Sequence, residues 1–114
     1  MSKRHRVVVA DDHWAMLETL VRLLSRDFDV VAAVSDGLAV VSAAAEYEPD
    51  LLVLDIAMPQ LNGIAAAGRV MKSGSPAKVV FVTNLHEREF VQESLALGHV
   101  GFVVKDRLVA DLLQ

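Results

Sequence analysis

Residues 51–59 read Leu51-Leu52-Val53-Leu54-Asp55-Ile56-Ala57-Met58-Pro59. Four consecutive apolar residues without polar alternation have the character of a strand buried on both faces, because a half-exposed strand would alternate. The run stops at a carboxylate, and Pro59 stiffens the turn beyond it. Four other blocks repeat the apolar half of this design: Val7-Val8-Val9-Ala10, Val30-Val31-Ala32-Ala33-Val34, Val79-Val80-Phe81-Val82 and Phe102-Val103-Val104. Amphipathic segments separate them. In the first, Met16, Leu17, Leu20, Leu23 and Leu24 form a stripe at helical spacing, while Glu18, Arg22 and Arg26 fall largely outside it. Further helices are predicted over Gly37–Tyr47, Asn62–Lys72 and His86–Leu97, and a last one from Asp106, read as an N-cap, to the end of the chain. Strand–helix alternation five times over predicts a parallel sheet with helices on both faces. Right-handed crossovers then point every strand the same way, giving an open, doubly wound α/β sandwich.

Composition agrees with one such domain over residues 1–114. The chain has 114 residues, 54% apolar and 23% charged, which excludes intrinsic disorder. Its longest unbroken apolar run, Val30 to Val34, is five residues, whereas a membrane span needs roughly 18 or more. Lys3, Arg4 and Arg6 are followed by only Val7 to Ala10 before two aspartates, so no signal peptide is read. Without cysteine there is no disulfide, thiolate nucleophile or zinc–thiolate site, and a cytoplasmic location is expected. A net charge of −4 makes the segment a poor wrapper of nucleic acid.

The polar residues that follow the strands carry the chemistry. Strand one runs into Asp11 and Asp12, strand three into Asp55, strand four into Thr83 and strand five into Lys105. In a parallel sheet these ends share one edge, where ligands bind at the point of strand-order reversal. Three carboxylates crowded there would repel one another. A hard divalent cation relieves that repulsion, and Mg²⁺ suits carboxylates, carbonyls and waters. The three aspartates, such a cation and Lys105 together carry no net charge. The site suits a phosphoryl group on a carboxylate, its oxygens neutralised by metal and ammonium.

These landmarks, Asp11-Asp12, Asp55 through Met58-Pro59 with Gly63, Thr83, and Lys105 three residues after Phe102, resemble a response-regulator receiver domain across essentially the whole chain. The flavodoxin-like five-stranded order 2-1-3-4-5 comes with that resemblance. So do the residue roles. It implies that Asp55 is the phosphoacceptor, that Asp11 and Asp12 hold Mg²⁺ (or Mn²⁺) directly or through water, and that the backbone carbonyl of Ala57 is a further ligand. Lys105 would pair with the phosphoryl group, Thr83 would donate a hydrogen bond to it, and Phe102 stands at the family's switch aromatic. The implied partner is a sensor histidine kinase. Asp11-Asp12-His13 and Lys105-Asp106 together resemble the subgroup that precedes LuxR-type helix-turn-helix domains. That implies DNA binding only through a helix-turn-helix domain absent from this chain. From Asp106 to Gln114 the last helix has at most nine residues, against a mean of about 11–12 for globular helices, so it is expected to be cut short; a homodimer on phosphorylation is the further expectation.

Plainer roles stand beside these. An Asp-Asp pair after a strand is commonly a turn or helix cap, Thr83 a pleat-fitting strand residue, Lys105 a solvated charge and Phe102 simply core. His13 is read chiefly as a cap or solvated residue, with contact to the metal site or the phosphodonor as the alternative. Trp14 and Met16 pack against or flank the first helix, Pro59 and Gly63 shape the loop after Asp55, and His5, His86 and His99 lack metal-ligand spacing. Three positions depart from the family: Asp106 where many members carry a cis-proline, His99 in place of alanine, and Asn84 in place of a smaller residue. An aspartyl-phosphate phosphohydrolase would need a second acid two residues after the nucleophile, where Ala57 stands. A flavodoxin-like cofactor binder would need a hydroxyl- and glycine-rich loop after strand one. A degenerate scaffold would lack an acid or Lys105, and none is missing.

Overall fold

Every unalternated apolar block forms a strand, and every amphipathic segment within reach of description forms a helix. The computed structural model describes residues 4–83, 98 and 100–104. Its elements are β1 (Arg6–Ala10), α1 (Trp14–Leu24), β2 (Asp29–Val34), α2 (Gly37–Tyr47), β3 (Leu51–Asp55), α3 (Gly63–Lys72), β4 (Lys78–Thr83) and β5 (Val100–Val104). The strands are all parallel, in the order β2-β1-β3-β4-β5. The expected helices over 86–97 and from Asp106 lie outside the described residues, as do Asn84, His99 and the Lys105–Asp106 peptide.

The pleat divides the core in two. Val8, Ala10, Leu52, Leu54, Val79 and Phe81 pack with Val40, Ala43 and Ala44 of α2 and with Ile64, Ala66, Ala67 and Val70 of α3. The alternate residues Val7, Val9, Val53 and Val82 pack with Leu20 of α1, flanked by Met16, Leu17 and Leu24. Helices therefore cover both faces. Each fully buried Val or Leu contributes about 1.5–3 kcal/mol, so the central strands β1, β3 and β4 dominate cohesion. One expectation fails at β2. Its apolar run is not buried on both faces, for Ala33 is exposed and Val30, Val31, Ala32 and Val34 are only half-buried. The reason is position: β2 closes one side of the sheet and has a single neighbour, with a register shift against β1 between Val7 and Val8. Lack of alternation marks a hydrophobic strand without saying whether it is central.

Helix starts follow the side chains before them. Asp36 caps α2 by accepting from the Ala39 N–H at 2.8 Å, and Asn62 caps α3 by accepting from the Ala65 N–H at 2.8 Å. His13 precedes α1 in an extended conformation but makes no side-chain cap bond. Trp14 opens that helix 75% exposed, so it flanks the helix without packing.

Candidate functional site

Asp11 directly follows β1, Asp55 closes β3 and Thr83 closes β4. Because the strands are parallel, all three sit on the carboxyl edge of the sheet. They are also the only buried polar side chains among the described residues, with Asp11 0%, Asp55 1% and Thr83 6% exposed. Asp12 lies beside them at the surface. Asp11, Asp12, His13 and Asp55 each offer one ligand atom, and these atoms lie within 4.8 Å of one another. Two like charges at that spacing repel by roughly 3–4 kcal/mol at an effective dielectric near 20. The fold offsets part of this, since α1, α2 and α3 all begin at this edge and helix N-termini favour anions. The donor set fits the expected cation: the three carboxylates supply the hard oxygen ligands that Mg²⁺ or Mn²⁺ takes.

The acidic pair is held locally. The Asp11 N–H donates to the Val34 carbonyl at 3.2 Å, tying the end of β1 to the end of β2. Asp11 Oδ1 accepts from the His13 backbone N–H at 2.8 Å. The His13 ring follows: its Nδ1 lies 3.3 Å from Asp11 Oδ1 and 3.1 Å from Asp12 Oδ1. The ring thus touches both carboxylates while staying 69% exposed, in keeping with the solvated reading, and the cap bond is absent.

The loop after Asp55 is gripped at both ends. Ile56 and Met58 are buried and leave Ala57 exposed between them. Leu61 N–H donates to the Pro59 carbonyl at 2.7 Å, and Gly63 N–H donates to the Ile56 carbonyl at 2.8 Å. A Cβ on Gly63 would stand 2.1 Å from the Asp55 carbonyl oxygen, so that glycine lets α3 start directly under the strand end. A Cβ on Gly37 would meet the Leu61 carbonyl oxygen at 1.8 Å. The start of α2 thus braces the same loop. Sequence reading assigned Gly37 only to a helix start; its place directly after the capping Asp36 is the one local hint of a close approach.

Phe102 pairs in register with Phe81, their ring centroids 5.8 Å apart, and it packs at the margin of the core on the α2–α3 side. Thr83 lies two residues beyond Phe81 and so on the same face of the pleat. Lys105 lies outside the described residues. Pro59, Gly63, Asp11, Asp12, Asp55, Ala57 and Thr83 are brought to one edge. His5 is not: it neighbours Asp50 at the opposite edge, at 3.8 Å.

Comparison with known proteins yields one family. The chain is 38% identical over 110 residues to a protein-glutamate methylesterase/protein-glutamine glutaminase of Albidiferax ferrireducens, covering 93% of this chain and 29% of that protein. It is 32% identical over 111 residues to the probable transcriptional regulatory protein NarL of Mycobacterium tuberculosis, covering 96% of this chain and 51% of that one. The chain thus spans about half or less of these longer relatives. Among solved structures, the signal receiver domain of the putative response regulator NarL from Mycobacterium tuberculosis superposes with a TM-score of 0.86 at 32% identity, covering 98% of this chain and 95% of the other. Residues 7–114 match the response regulator receiver domain. With that match running from the first strand to the last residue, this chain belongs to the response-regulator receiver domains.

Proposed function

We propose that the chain receives a phosphoryl group on Asp55 from the phosphohistidine of a sensor kinase and relays the change through the end of β4 and β5. The observation that carries this is the convergence of Asp11, Asp12 and Asp55 within 4.8 Å at the carboxyl edge, with Asp55 buried. An Asp55 carboxylate oxygen attacks phosphorus while the bond from phosphorus to the kinase imidazole nitrogen breaks, leaving an acyl phosphate and, with the phosphohistidine ring protonated on its other nitrogen, a neutral imidazole. Asp11, Asp12, Asp55 and the Ala57 carbonyl are the residues that would hold Mg²⁺ or Mn²⁺, which neutralises phosphoryl oxygens when bound. The Thr83 hydroxyl donates a hydrogen bond to a phosphoryl oxygen, and Lys105 supplies a positive charge to another. Movement of Thr83 toward that group frees room on the same face for Phe102 to turn inward.

The rest of the reading concerns the whole regulator. Output lies in a segment outside these 114 residues, a helix-turn-helix that binds DNA, with phosphorylation altering docking or dimerisation through the β4–β5 side. Likeness to NarL, which is about twice as long, supports this, as does the net charge of −4. The chain turns over no separate substrate: an aspartyl-phosphate phosphohydrolase needs an acid two residues past the nucleophile, and Ala57 carries only a methyl group. The direct test is intact-mass measurement after incubation with acetyl phosphate, with and without Mg²⁺. A gain of one phosphoryl group that needs Mg²⁺ and vanishes in Asp55→Ala supports the reading; undiminished labelling of that variant overturns it.

A further inference from the structure

We infer that His13 is a nitrogen ligand that widens this cation site toward late first-row transition ions. The inference rests on the proposed cation site and goes beyond it, since an Asp-Asp-Asp-carbonyl set offers oxygen alone. Adjacent ligands in an octahedron with bonds of 2.0–2.1 Å lie about 3 Å apart. His13 Nδ1 stands 3.1 Å from Asp12 Oδ1 and 3.3 Å from Asp11 Oδ1, the separation of neighbouring donors around one ion. The backbone that carries the ring is held: the His13 N–H is bonded to Asp11 Oδ1, and α1 begins at the next residue. No capping bond competes for the imidazole.

Ring exposure bears on whether Nδ1 is able to ligate. His13 is 69% exposed while Asp11 is fully buried. Ligation through Nδ1 requires the ring proton on Nε2, and a ring this exposed can satisfy that proton with water. Imidazole suits Ni²⁺, Cu²⁺ and Zn²⁺, whereas carboxylate and carbonyl oxygens suit Mg²⁺ and Mn²⁺. Adding one nitrogen to this oxygen set therefore raises affinity for the former ions and leaves Mg²⁺ nearly unaffected.

The test is calorimetric titration of the 114-residue chain and of His13→Ala with Ni²⁺ alone and Mg²⁺ alone, with Mg²⁺ competition assigning Ni²⁺ to the same site. We expect His13→Ala to weaken Ni²⁺ at least tenfold and to change Mg²⁺ less than twofold. His13→Asp, which exchanges the nitrogen for an oxygen, should weaken Ni²⁺ and strengthen Mg²⁺. Pulsed EPR of the Mn²⁺-loaded chain should show a directly bound nitrogen that His13→Ala removes. Unchanged Ni²⁺ affinity in His13→Ala overturns the inference but leaves the cation site standing. Tighter binding of both ions by that variant also overturns it, because the ring would then be competing with the cation. Failure of the parent chain to bind either ion overturns the cation site itself.

Discussion

Strand β3 carries an aspartate near each end, and the two live differently. Asp50, just before the strand, is exposed; its Oδ2 accepts from the Arg6 N–H at 2.8 Å, and its backbone carbonyl accepts from the Lys78 N–H. Asp55, five residues on, is 1% exposed within a carboxylate cluster. Parallel topology explains the difference. The amino edge receives helix C-termini, with Arg22 in the last turn of α1 and Arg69 and Lys72 in the last turn of α3, and an acid there needs only to tie strand ends together. The carboxyl edge receives helix N-termini, whose free N–H groups favour negative charge, and there acids accumulate. One edge fastens the sheet and the other concentrates charge for chemistry.

Exchanging the roles of the two edges is the strongest way to break this contrast. Asp55→Ala should abolish phosphoryl labelling by acetyl phosphate, whereas Asp50→Ala should label like the parent and lose about 1 kcal/mol of stability in urea, the worth of one hydrogen bond. Labelling lost in Asp50→Ala with its fold intact would dissolve the distinction.

Two glycines sharpen it. At the carboxyl edge Gly63→Ala drives a methyl group against the Asp55 carbonyl, so a loss on the order of 3 kcal/mol is expected. At the amino edge Gly74 has φ +90° and open space around it, so Gly74→Ala should cost about 1 kcal/mol, from backbone strain alone. Equal urea midpoints for the two variants would contradict the crowding at the loop that carries Ala57.

Charge gives a smaller effect. Asp12→Asn removes one carboxylate from the cluster and should weaken Mg²⁺ by about tenfold, near 1.4 kcal/mol, in a calorimetric titration. Equal affinity would reduce the acidic pair to a turn. Smallest of all should be His5→Ala. Its ring is 76% exposed and 3.8 Å from an exposed Asp50, so thermal unfolding should report a change within about 0.5 kcal/mol.

Much of this was legible in the chain because the deciding signals are local. Unbroken apolar runs such as Leu51–Leu54 are strands because no helical stripe fits them, and Asp36 and Asn62 cap helices through bonds three residues long. Asp11, Asp55 and Thr83 could be gathered onto one edge because each ends a strand and parallel strands share direction. Gly37 was not legible as a brace, since its crowding comes from Leu61, a residue distant in sequence. Nor was the exposure of β2, for hydrophobicity records what a strand would prefer to bury and not how many neighbours it obtains.

The sequence by itself determined the alternation of elements, the positions of the caps and the ordering of acids after strands, since each depends on residues within a turn or two of one another. Tertiary structure alone decided which strands are central, how tightly the loop after Asp55 is clasped between Gly37 and Gly63, and that the His13 ring folds back onto two carboxylates rather than capping its helix. Those outcomes depend on distances between segments far apart in the chain, or on a choice between rotamers that local propensity leaves nearly equal. Only the assembled sheet, with its helix N-termini gathered at one edge, fixes them.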